Sequence, residues 1–94
     1  MTTQTTRGNL VAAGYQQITG LSAAQKLTPP ANARIARIVC EAQAVRWRDD
    51  GISPAATVGM PLAIGTELTY DGNLGAIKFI EQAASATLNV SYYY

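Results

Sequence analysis

Ile35-Ala36-Arg37-Ile38-Val39-Cys40-Glu41-Ala42-Gln43-Ala44-Val45-Arg46-Trp47-Arg48-Asp49-Asp50-Gly51 is the stretch on which the fold turns. Its second half reads one way only. Val45 and Trp47 alternate with Arg46 and Arg48, the period of two that gives a strand one apolar and one charged face. Asp49-Asp50-Gly51 then stops the strand, because Asp bonds its own backbone in turns and Gly accepts positive φ without a steric penalty. The first half fits two templates. Ile35, Ile38, Val39, Ala42 and Val45 match the helical spacing, with Arg37 and Glu41 one turn apart. Against the helix, only Asn32 stands near its start as a cap, and Ile38-Val39-Cys40 is the compact apolar group of a buried strand. We therefore read two strands, about 34–40 and 43–48.

Outward from this stretch the signals are those of short strands. Tyr15 to Thr19 and Gln25 to Thr28 are rich in β-formers, and Pro29-Pro30 ends the second because proline cannot donate to a ladder. Residues 52–62 are small and punctuated by Pro54 and Pro61, a loop leading into the next strand. Glu67 to Tyr70 alternates, and Asp71-Gly72-Asn73 is a hairpin signal that predicts pairing with Ala76 to Ile80. Ala86 to Tyr94 alternates again, with Leu88, Val90 and Tyr92 on one face. Seven or eight strands at this spacing predict an all-β, single-domain antiparallel β-sandwich, jelly-roll-like, over residues 10–94. Residues 1–9 are polar, Thr-rich and free of periodicity, which fits a frayed terminus or the extended N-terminal arm expected here.

Composition narrows the function. The chain has 94 residues, 48% of them hydrophobic and only 14% charged, against about 25% charged in an average soluble domain. A small domain has the most surface per residue, so low charge density points to surface covered by copies of itself or by a partner. A net charge of +1 gives no global electrostatic case for nucleic acid, and no apolar run approaches the roughly 20 residues of a membrane span. Histidine is absent and Cys40 is the only cysteine, which removes the commonest general base and any internal disulfide. No cofactor or metal and no enzymatic activity are expected. Cys40 lies among apolar neighbours, where an inert thiol belongs.

Seven residues stand out as an interface set. Arg46 and Arg48 share a strand face and suit a carboxylate partner, or else pair with neighbours such as Glu67 or Glu81. Asp49 and Asp50 fit a turn that caps backbone amides, with calcium binding as the less favoured use. Tyr92, Tyr93 and Tyr94 alternate, so one core cannot bury all three, and Tyr suits intersubunit contacts. Trp47 faces the core side.

The order Val45-Arg46-Trp47-Arg48-Asp49-Asp50-Gly51, Pro54-Ala55-Ala56-Thr57-Val58-Gly59-Met60, Tyr70-Asp71-Gly72-Asn73-Leu74, Ala76-Ile77-Lys78-Phe79-Ile80 and Ala86-Thr87-Leu88-Asn89-Val90-Ser91-Tyr92-Tyr93 resembles small virion structural proteins of tailed bacteriophages and prophages. Several of these are capsid decoration, or cement, proteins with a jelly-roll-like fold. The resemblance covers about residues 29–93 and rests on motif order. It implies a homo-oligomer, often a trimer, made in the host cytoplasm and seated on the capsid surface, where it bridges neighbouring copies of the major capsid protein. The motif order does not fix the place in the virion. A small jelly-roll module of a tail or fibre that contacts a host glycan or receptor is the alternative.

Overall fold

The computed structural model describes residues 10–94, and the expected arm at 1–9 lies outside the described residues. The strands are β1 (Ala12–Ile18), β2 (Gln25–Lys26), β3 (Ile35–Glu41), β4 (Val45–Arg48), β5 (Met60–Leu62), β6 (Glu67–Tyr70), β7 (Lys78–Glu81) and β8 (Thr87–Tyr93). They form two four-stranded antiparallel sheets, in the orders β1-β8-β3-β6 and β2-β7-β4-β5. No helix occurs among the described residues. The opening stretch is thus two strands, one in each sheet. Ala42, held at φ 74°, turns the chain between them. The pairings are nested: β4 with β5, β3 with β6, β2 with β7 and β1 with β8. The chain is doubled back on itself at the β4–β5 loop, then wrapped.

Alternation decides what is inside. On β8 Leu88, Val90 and Tyr92 are buried, and on β3 Ala36, Ile38 and Cys40 are. The second sheet contributes Val45, Leu62 and Phe79 to the same cluster. Leu21, Leu27, Leu74 and Ile77, from the connections, fill it further. Each large apolar side chain so buried stabilises the fold by roughly 1.5–3 kcal/mol relative to exposure. Among the described residues no buried side-chain nitrogen or oxygen lacks a hydrogen-bond partner.

The hairpin expected at Asp71-Gly72-Asn73 does not form. β6 pairs with β3, whereas β7 pairs with β4 and β2, so residues 71–77 cross from one sheet to the other. A two-residue hairpin of the favoured kind needs positive φ at both central positions or at the first of them, and none of residues 71–73 has it. Gly72 serves a different need. A Cβ there would lie 2.6 Å from Tyr70 Cζ, so glycine lets the chain pass close over that ring. Leu74 and Ile77, both buried, then hold the crossing against the core.

Candidate functional site

The site is built from β4 and the loop that follows it. Trp47 faces the core and meets Tyr70 of the other sheet edge-on, with ring centroids 6.1 Å apart. The Tyr70 hydroxyl donates to Asp49 Oδ2 at 2.7 Å, closing one end of the molecule between the two sheets. Asp50 accepts both Arg48 Nε, at 3.0 Å, and Arg48 Nη2, and also takes the Ile52 amide. Gly51 at φ 88° makes the turn that the sequence predicts.

Arg46 has a use that the sequence did not disclose. Its Nε donates to the Ala56 carbonyl at 3.1 Å and its Nη1 to the Gly59 carbonyl at 2.9 Å. Ala55 and Val58 exchange both backbone hydrogen bonds, so 55–58 is a miniature hairpin that Arg46 holds down. Pro54, just before it, is buried and lies close to Gly59. Gly59 sits at φ 142°, and a Cβ there would lie 3.1 Å from the Trp47 carbonyl and 3.2 Å from Arg46 Cβ. The loop is therefore braced by side chains and by close packing.

What this loop presents is apolar. Ile52, Val58 and Met60 are 58%, 51% and 57% exposed. Residues 47–50 and 58–60 line an open hollow of about 400 Å³. Sequence reading missed these three side chains, since an exposed apolar residue looks the same as a buried one in a string of letters. The available signal was their setting, in a small-residue segment punctuated by glycine and proline.

Tyr92 is in the core at 1% exposure, with its hydroxyl donating to Gln16 Oε1, so it offers no surface to a partner. Tyr93 is half-buried and Tyr94 exposed. Tyr94 pairs through its backbone with Val11, itself exposed, on the far edge of the first sheet. Glu67 pairs with Arg37 rather than with Arg46 or Arg48.

The electrostatics follow the contacts. The Arg48 guanidinium, first by hydrogen bonding, holds the Asp50 carboxyl below its usual range. Burial, followed by the Asp49 carboxylate, pushes the Tyr70 phenol up to about 12. Burial alone raises the Cys40 thiol, which donates to the Leu62 and Ala63 carbonyls and stays protonated at neutral pH. No group of three metal-ligating side chains gathers among the described residues. What the arrangement offers is exposed apolar area on a braced loop, rimmed by one ion pair. No family model, curated protein or solved structure matches this chain.

Proposed function

We propose that the protein is a non-enzymatic virion structural protein, a homo-oligomeric capsid decoration protein that bridges and stabilises neighbouring capsid subunits. The observation that carries this reading is the braced loop, which holds Ile52, Val58 and Met60 out to solvent. Exposed apolar clusters on small domains mark contact surfaces. The two four-stranded antiparallel sheets support this reading, being compatible with a jelly roll, an eight-stranded two-sheet fold used by viral capsid and lectin domains. The low charge density and the order of sequence motifs agree with it. Binding to the assembled shell alone would stabilise that shell by mass action.

The test is addition of purified protein to capsids that lack it, followed by cryo-EM. Stoichiometric occupancy at symmetric sites is the expected result, abolished by Val58→Asp with Met60→Asp. Both side chains are exposed, so the variant should keep its melting temperature. Occupancy unchanged by this variant, or no occupancy at all, overturns the reading. One observation favours a second reading, a glycan-binding tail or fibre module: half-buried Trp47 lines the hollow beside Asp49 and Asp50. Saturable change of Trp47 fluorescence with a host glycan, together with no capsid binding, would establish that alternative.

A further inference from the structure

The outer face of the second sheet carries a pattern that the adhesive loop does not explain. Leu27, just after β2, Ile77, just before β7, and Phe79 on β7 point into the core, so Lys26 and Lys78 point outward, as do Arg46 and Arg48 opposite inward-facing Val45 and Trp47. The register sets Lys26 opposite Lys78 and Lys78 opposite Arg48. Three cations thus stand side by side across three strands, a row of roughly 10 Å at the usual strand spacing of about 4.8 Å. Like charges directly opposite one another destabilise a sheet. Of the three, Arg48 pairs with a carboxylate, Asp50. Lys78 Nζ reaches the Ser53 hydroxyl at 3.3 Å, and no carboxylate pairs with Lys26 or Lys78 among the described residues. With four cations and one anion among the described residues this face carries +3, while the whole chain carries +1.

We propose that this face docks a carboxylate-rich patch on another protein. It deepens the decoration reading by adding a second contact face beside the apolar loop, and it rests on that reading for the partner's being a protein. Two observations favour carboxylates over a nucleic-acid backbone. Ile80 and Pro61 stand in the next row, beside Arg46, and a mixture of apolar and arginine surface is the make-up of protein interfaces. A row of three cations is also too short for strong counterion release, and the chain's small net charge adds no long-range field.

The test measures binding of the full chain to immobilised poly-L-glutamate and to duplex DNA at two salt concentrations, beside the capsid assay. Expected are salt-sensitive binding to poly-L-glutamate, at least tenfold weaker in Lys26→Gln/Lys78→Gln, and weaker binding to DNA throughout. The same variant should melt no lower than the parent, because it removes a repulsion. Absence of poly-L-glutamate binding, indifference to the double substitution, or tighter binding to DNA each overturns the proposal. Capsid binding that persists in full in the variant sinks this inference and leaves the decoration reading standing. Poly-L-glutamate binding without capsid binding does the reverse.

Discussion

The two sheets share one core and differ in what they turn outward. The outer face of β1-β8-β3-β6 is closed on itself. Tyr15 and Gln17 both donate to Asn89 Oδ1, at 2.6 and 3.0 Å, and Asn89 passes the chain on to Glu41. Arg37 grips Glu67 with two hydrogen bonds, at 2.7 and 2.9 Å, and Thr69 adds a third. The outer face of β2-β7-β4-β5 has like charges in register and an apolar loop beside it. A face that satisfies its own donors and acceptors has little to gain from a partner. The other face is left with unanswered charge, and that is the face proposed to make contacts.

The comparison holds only if the inner faces are equivalent, and this gives the largest expected effects. Phe79→Ala in the second sheet should cost about 3–5 kcal/mol and Leu88→Ala in the first about 2–5 kcal/mol, read from urea unfolding. A small loss at either one would mean that the two sheets do not share a core equally. Next comes Arg46→Ala, which removes two charge-assisted bonds to loop carbonyls and should cost about 1.5–3 kcal/mol. Limited proteolysis should then cut within 53–58 in the variant and not in the parent. Gly59→Ala, which forces a side chain into a left-handed backbone and a close packing, should have an effect of similar size, about 1–3 kcal/mol.

Alkaline titration separates the interior from both surfaces. Tyr70 and Tyr92 are pushed up to about 12, in both cases mainly by burial, whereas an unfolded tyrosine ionises near about 10. Below pH 10 both states hold these protons and stability is unaffected. Between pH 10 and 12 the unfolded chain releases them first, so stability should fall as pH rises through that window. Tyr92→Phe should flatten this fall and cost roughly 1 kcal/mol at neutral pH. The smallest effect is expected for Arg37→Ala. The Arg37–Glu67 pair is exposed, with side chains 41% and 36% accessible, so its loss should cost under about 1 kcal/mol. Arg37 holds the Glu67 carboxyl below its usual range. The pair's contribution is therefore present above the ordinary carboxylate pKa and fades as pH falls through the lowered one, a fade that Arg37→Ala should remove.

Much of this fold was legible in the sequence, and the exceptions have physical causes. Alternation at Leu88, Val90 and Tyr92 and at Val45 and Trp47 gave the strands and their inward faces, because burial on one side leaves a period of two. The expected strands 34–40 and 43–48 became 35–41 and 45–48, a difference set by where Ala42 turns. Asp71-Gly72 misled because a turn signal reports local backbone preference and carries nothing about which strand lies alongside. There the glycine answers a close approach to Tyr70 rather than a hairpin. In the site, Asp50 and Gly51 took the turn roles their chemistry suggests. Arg46 did not show its role, since its acceptors are backbone carbonyls 10 and 13 residues away, and every residue has a carbonyl.

The nested pairing has a consequence for how the molecule folds. β1 and β8 meet at Ile18 and Leu88, near opposite ends of the chain, and closing so long a loop directly carries a large entropic penalty. Once β4 and β5 have met, however, β3 and β6 are already close, and each later pair inherits a shorter loop from the one before. Folding is then expected to zip outward from the β4–β5 connection, within the slow range of non-local β proteins. The segment that Arg46 braces would be an early event in folding as well as a contact surface. Substitutions that loosen it should slow refolding, whereas changes at the Val11–Tyr94 edge should mainly speed unfolding.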